Sequence, residues 1–352
     1  MGRHHKIDLV CFVVLFFISF VLRIIRIDGG LRLDEITTVL LFVRSDWLKI
    51  ITFVPMPNNH ILYSLLAKVS VAVFGEKEWS LRIPALIAGG FTPPICYLVF
   101  RKRVEIITAL IASLFLVFHF WMVWFSQDAR AYSSFILFSF LSQIFYIEWI
   151  KGFKKSIAII YLLVTVISAY FYFYTGFIIA SQIVYGFFFW LLNRKESKPM
   201  LFIFPLVALI ISAGLYVPAI SGLAEYGSSL NLEPMEIAKT IKLIAGVSNL
   251  GFAIFVSSIF IFGFRYLWKR WPELCWLHIL ATSFLILFTL IMRVPMYARS
   301  FSFLIPFYYF GMAVGLNAVA DILNKRSAIL AHLTKLALAF LIFALLIFGL
   351  AR

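Results

Sequence analysis

Apolar residues along this chain come in long runs separated by short charged clusters, the pattern of helices that cross a bilayer. A span needs about 20 apolar residues. Runs of that order occupy 8–27, 82–100, 104–125, 132–150, 156–174, 175–192, 200–220, 243–264, 273–292, 300–320 and 329–350. They predict an all-α polytopic membrane protein with about 11 transmembrane helices.

Residues 28–81 break the pattern. They hold three apolar stretches, Ile36–Val43, Trp47–Val54 and His60–Phe74, each too short or too interrupted to span. We read them as amphipathic helices lying on the outer membrane face. His60–Phe74 is the sensitive one, because counting it as a span inverts every later loop. The chain thus reads as one transmembrane unit over 1–352, with 28–81 as an outer platform. No soluble domain is expected after the last span, and no internal repeat or low-complexity linker is visible. The aromatic run over 171–190 reads as an interfacial belt around Thr175-Gly176.

Composition agrees: 63% of residues are hydrophobic, mean hydropathy is +1.00 and there are 40 Phe. The net charge of +15 follows membrane topology rather than nucleic-acid binding. If Met1 is cytoplasmic, the loops at 101–105, 151–155, 193–199, 265–271 and 321–327 carry 14 Lys and Arg. The opposite short loops at 126–131, 175–176, 221–242 and 293–299 carry 5. The positive-inside rule supports that orientation, and counting His60–Phe74 as a span would place those 14 outside. Arg23 and Arg26, at the outer end of the first span, run against it. The basic segment Met1–Lys6 reads as the start of a signal anchor that is not cleaved. Cys11, Cys96 and Cys275 lie far apart in apolar runs and read as packing residues.

Only 16 residues are Asp or Glu, so their positions carry weight. Asp34-Glu35 follows the first span, and ionisable groups near lipid tend to mark chemistry. The competing reading is a helix cap by Asp34. Three patches fall on one side of the membrane under this topology: Arg32, Asp34 and Glu35 with His60; Ser126 to Tyr132, including Asp128 and Arg130; and Arg293 to Arg299, leading into Ser300–Pro306. Carboxylates can deprotonate an acceptor hydroxyl, and guanidinium or imidazolium groups can hold a leaving phosphate. Together they fit transfer of a group from a lipid phosphate. Taken singly, Asp128 and Arg130 read equally well as an interfacial ion pair, Arg299 as a snorkelling flank residue and His60 as a helix-start residue. The sequence shows no glycine-rich nucleotide loop or HExxH pair, and no GxSxG elbow. A soluble nucleotide-sugar donor has no domain to bind it, so the donor is expected in the membrane.

The order of these motifs resembles the polyprenyl-phosphate-dependent GT-C glycosyltransferases, in the bacterial branch related to protein O-mannosyltransferases and lipid A aminoarabinose or galacturonic acid transferases. The resemblance rests on Asp34-Glu35, then Asn59 to Leu66, then Phe74 to Pro84 with Leu81-Arg82-Ile83-Pro84. It continues through Ser126–Tyr132 and ends in Arg299 before a Pro-containing run. A Pro-Pro pair usual after the histidine is replaced by Ile61-Leu62, or displaced to Pro55 and Pro57. The match is strongest over residues 8–190. The resemblance implies a GT-C-like fold and inverting transfer of a hexosyl or pentosyl group in the cell envelope, of the lipopolysaccharide-modifying or mannosyltransferase-like kind. The donor is a polyprenyl-phosphate sugar, the acceptor a glycan, lipid or protein, and the site faces outward from the plasma (inner) membrane. It implies Asp34 as general base, Glu35 or Asp128 as catalytic partners, and His60, Arg130, Tyr132 and Arg299 as substrate-binding residues. It also excuses Arg23. Some relatives use a divalent metal; the sequence offers no ligand set for one, so no cofactor is assigned. The alternatives are a flippase or exporter of lipid-linked sugars, which should place charges at mid-membrane depth, and an envelope polysaccharide polymerase or ligase.

Overall fold

The computed structural model describes residues 3–53, 59–194, 197–219, 237–293, 297–323 and 327–350. Val54, Pro55 and Pro57 lie outside them, as does most of the predicted outer loop 221–242. Among the described residues the fold is all helical. Among the described residues nine helices are long and apolar enough to cross a membrane, and a bent pair makes a tenth. The remaining predicted span, 156–174, corresponds to a shorter apolar helix, Lys155–Phe171.

In chain order, α1 is Arg3–Ile24. The segment between the first two spans folds as α2 (Leu33–Thr38) running into a π turn at Val39–Val43, then α3 (Trp47–Thr52) and α4 (Ile61–Phe74). These short helices carry their own packing: Val39, Val43, Tyr63 and Ala67 bury against Leu81, Ala85, Ala129 and Ala131. Polar ties fix α4, with Lys68 Nζ donating to the Val43 and Ser45 carbonyls and Tyr63 Oη to Leu81 O. Helix α4 stops at Gly75, whose φ of 81° suits glycine, after 14 residues, too few to span.

The bundle continues with α5 (Glu78–Arg101), α6 (Ile106–Phe118), α7 (Phe120–Ser126), α8 (Tyr132–Gly152), α9 (Lys155–Phe171), α10 (Thr175–Leu192) and α11 (Met200–Tyr216). It closes with α12 (Ile237–Ala245), α13 (Leu250–Arg270), α14 (Pro272–Met292), a 3-10 segment at Ala298–Leu304, α15 (Ile305–Leu323) and α16 (Ala328–Leu350). The core holds Tyr97, Phe100, Phe115, Phe140, Tyr309 and Phe310 among many others. Helices α13 and α15 touch backbone to backbone, since a side chain at Gly263 would run into the Gly311 carbonyl. Gly311 and Gly315 are the small-xxx-small pair that permits such contact between spans.

Two predicted spans differ in detail. The run 104–125 is one span by hydropathy, but the chain bends by 56° between α6 and α7. His119 is extended there (φ −65°, ψ 120°) and caps α7, its Nδ1 accepting from Met122 N. The run 243–264 contains a helix break at Gly246, whose φ is 67°, so α12 is separate and the span begins at Leu250.

Charged pairs gather at one end of the bundle and bind its loops together: Asp8 with Arg101, Arg103 with Glu148, Lys151 with Glu273 and Glu105 with Lys335. These belong to the loops richest in Lys and Arg. The short helices α2–α4, loop 127–131, α12 and the 3-10 segment lie at the opposite end.

Candidate active site

The first turn of α2 separates the acidic pair. Arg32 occupies the N-cap position, and Glu35 reaches back to accept from its backbone N–H at 2.9 Å. The capping group is therefore Glu35, not Asp34. Glu35 is 0% exposed. Its oxygens also accept from Arg82 Nε and Nη2, both at 2.7 Å, and from Ala129 N at 2.7 Å. Burial raises the Glu35 carboxyl, but the hydrogen bonds from Arg82, Arg32 and Ala129 outweigh it and hold it below the usual range. Arg82 completes the joint by donating to the carbonyls of Ile27, Gly29 and Gly30. Three segments, 27–35, α5 and 127–131, thus meet on one ion pair.

That joint brings loop 127–131 over α2. Asp34 lies 3.1 Å from Arg130 Nη1 and keeps 48% of its side chain exposed. Arg130 is buried, donates to Tyr132 Oη at 3.2 Å and stands over the Tyr132 ring. Asp128 is 7% exposed. Burial first, and the nearby Glu35 charge second, push its carboxyl up to about 6. Asp128 Oδ1 and Arg32 Nη1 face each other at 3.8 Å, and both are buried atoms without a hydrogen-bond partner. The Arg32 guanidinium lies 3.5 Å above the Trp124 ring, a cation–π stack that fixes it in place.

A cavity of about 730 Å³ opens beside these groups. Asp34, Asp128, Arg32, Tyr132 and Arg299 line it, and Phe120, Trp121, Trp124 and Phe125 contribute apolar lining. Lys239 and Lys242 enter from α12. That helix is held by His119 Nε2 against Ile244 O (3.3 Å) and by Tyr309 Oη donating to Ala245 O (2.9 Å). Only glycine fits at 246, where a side chain would strike His119 and Tyr309. Arg299 stacks over Tyr297 at 4.6 Å and reaches Tyr132 at 5.8 Å.

The residues expected from sequence therefore divide. Asp34, Asp128, Tyr132 and Arg299 line the cavity. Glu35 sits behind it, wholly committed to hydrogen bonds. Arg130 does not line it and instead holds Asp34 and Tyr132. His60 is also buried, edge-on to Tyr132 and Tyr172. Burial and the charges of Arg130 and Arg299 drive its imidazole well below the usual range. Sequence reasoning missed Lys239, Lys242 and the Trp121–Trp124 wall, and gave Arg82 no role. The break at Gly246 was the available signal for α12. No three His, Cys, Asp or Glu side chains converge among the described residues. Each cavity carboxylate faces an arginine, Asp34 with Arg130 and Asp128 with Arg32.

A comparison with models of protein families finds no match, and a search of curated proteins finds none. Among solved structures the chain is similar to the oligosaccharyltransferase of Archaeoglobus fulgidus, crystallised with a disulfide-tethered acceptor peptide containing the NVT sequon. The TM-score is 0.55 at 14% identity, over 98% of this chain and 55% of that one. The chain thus spans about half the length of that enzyme, and the likeness is one of fold. The architecture is a GT-C-like polytopic membrane fold.

Proposed function

We propose that this protein is a membrane glycosyltransferase that moves a sugar from a polyprenyl-phosphate donor to an acceptor hydroxyl, at the outer face of the plasma membrane. The observation that carries this reading is that Asp34 and Asp128 line the same cavity as Arg299, Lys239 and Lys242. The likeness to an oligosaccharyltransferase agrees with it.

In this reading the phosphate of the donor sits against Arg299, Lys239 and Lys242, with the polyprenyl chain along the tryptophan wall. The acceptor oxygen attacks the anomeric carbon from the opposite side, which inverts it. The bond from that carbon to the phosphate oxygen breaks, and polyprenyl phosphate leaves with its charge stabilised by the three cations. Asp34, the more exposed carboxylate, takes the acceptor proton. Arg130 orients Asp34, and Glu35 with Arg82 positions both acidic segments. A second assignment gives the proton to Asp128, favoured by its unpartnered Oδ1 and its carboxyl near 6, since a base works best with a pKa near the working pH.

The test is transfer from a panel of radiolabelled polyprenyl-phosphate sugars into endogenous membrane acceptors. Incorporation by the wild type that disappears in Asp34→Asn supports the reading with Asp34 as base. Incorporation retained in Asp34→Asn and lost in Asp128→Asn moves the base to Asp128. Failure with every donor rejects the glycosyltransferase and favours a carrier of lipid-linked sugars.

A further inference from the structure

A second cavity, of about 540 Å³, adjoins the first and shares Arg32, Phe120 and Trp124 with it. The Arg32–Trp124 stack is thus a partition between two chambers. The second cavity's apolar lining includes Leu22 in the last turn of α1, Ile25 just after it and Leu350 at the end of α16. Both helices are membrane spans, and Ile25 is 54% exposed. The cavity's polar lining includes Arg26, Arg82 and Gln127 with Gly29 and Gly30, and no described lining residue is acidic. A chamber lined both by apolar residues of two membrane spans and by cationic groups matches a lipid with an anionic headgroup.

From these observations, and resting on the sugar-transfer reading above, we infer that the second cavity takes the acceptor, a membrane lipid whose headgroup carries a hydroxyl beside a phosphate or carboxylate. Arg26 meets the anionic group. The hydroxyl reaches the partition and seats between Arg32 Nη1 and Asp128 Oδ1, the facing pair 3.8 Å apart that lacks hydrogen-bond partners. There it accepts from the guanidinium and donates to the carboxylate, which aims an oxygen lone pair into the donor chamber. The reaction forms one bond between the anomeric carbon and this oxygen and breaks the one to the donor phosphate; the hydroxyl proton passes to a cavity carboxylate.

Two variants test this without touching the donor chamber. Leu22 lines the second cavity and not the first, so Leu22→Trp fills the second cavity; Arg26→Glu reverses its charge. Membranes carrying each protein receive a labelled polyprenyl-phosphate sugar that the wild type consumes. Products are sorted into free sugar, protein pellet and acid-stable lipid extract, and the extract is run on an anion exchanger. The expected result is an anionic glycolipid made by the wild type. Each variant should reduce it by about tenfold or more while still releasing free sugar to water at the wild-type rate, which shows a folded donor site. Label in the protein pellet would overturn the lipid acceptor, and glycolipid formation unchanged in both variants would overturn the cavity assignment. A wild type that consumes no donor at all rejects the sugar-transfer reading itself, and this inference with it.

Discussion

Arg82 and Glu35 meet through two charge-assisted hydrogen bonds of 2.7 Å, with 2% and 0% of their side chains exposed. The pair joins residues 47 apart, and the same carboxylate also binds Ala129 N. Removing one member leaves the other charge buried and unpaired, which costs about 3–5 kcal/mol. Glu35→Gln should therefore lower the thermal stability of the detergent-solubilised protein sharply, and Arg82→Ala should do the same. Activity falls with it, because loop 127–131 loses its anchor. A Glu35→Gln protein as stable as wild type but inactive would instead make Glu35 a chemical participant.

Asp128 supplies a pH signature. Its carboxyl is raised from 3.8 to about 6, so folding takes up a proton there. The stability it contributes is full below about 3.8 and is lost as pH rises through about 6, a change of up to about 3 kcal/mol. Asp128→Asn removes that loss. The variant should match or exceed wild-type stability at pH 7.5, and in thermal melts the gap should shrink to about half at pH 5 and close only below about pH 3.8. If Asp128 is the base, wild-type turnover falls as pH drops through about 6, because the carboxyl must be ionised to accept a proton.

In the proposed reaction the cavity cations Arg299, Lys239 and Lys242 act on the donor. Each charge-assisted contact to phosphate is worth about 1.5–3 kcal/mol, so Arg299→Ala or Lys242→Ala should raise the donor KM about tenfold or more. The acceptor KM should move far less. Equal effects on both substrates would make Arg299 a structural residue. Added salt should weaken donor binding in the wild type more than in Lys239→Ala/Lys242→Ala, since part of the attraction is screened.

The layout of spans was legible because apolar length is a direct measure of a bilayer crossing, and the shortness of Ile61–Phe74 was visible at Gly75. Asp34, Asp128, Tyr132 and Arg299 were legible as rare polar groups at span ends. That Glu35, Arg130 and His60 stand outside the cavity lining was not, because burial and partners are set by the fold. Two acids adjacent in sequence point to different places once α2 winds: Asp34 to the cavity, Glu35 to Arg82. Lys239 and Lys242 were counted as loop charges, because the apolar run from 243 hides the turn at Gly246. The bend at His119 carries no Pro or Gly signal; it is stabilised by contacts distant in sequence.

The proposed membrane orientation rests on the charge distribution and can be checked directly. Lys102 lies at the end of the bundle rich in ion pairs, and Ser248 lines the cavity at the other. In otherwise cysteine-free protein, Lys102→Cys should react with an impermeant maleimide only from the cytoplasmic side and Ser248→Cys only from outside. Labelling of residue 102 from outside would invert the topology and put the cavity in the cytoplasm.

Arg23 ties the bend to the chemistry. It is fully buried near the outer end of α1, against the charge rule, and faces no carboxylate in its hydrogen-bond set. Its guanidinium donates to the carbonyls of Ser19, Leu116 and Val117 and to Ser126 Oγ. Two of those carbonyls end α6, where a helix presents partial negative charge, and Ser126 ends α7. The arginine thus braces both arms of the bend that presents Trp121 and Trp124 to the cavity. Lysine offers a compact charge and cannot span four acceptors in a plane. Arg23→Lys should therefore lose stability and lower turnover, and Arg23→Leu should do so more strongly, by about 1–3 kcal/mol for each group left unsatisfied. Tryptophan fluorescence should shift in both variants as the wall moves. An Arg23→Leu protein with wild-type stability and spectrum would show that the bend holds without the arginine.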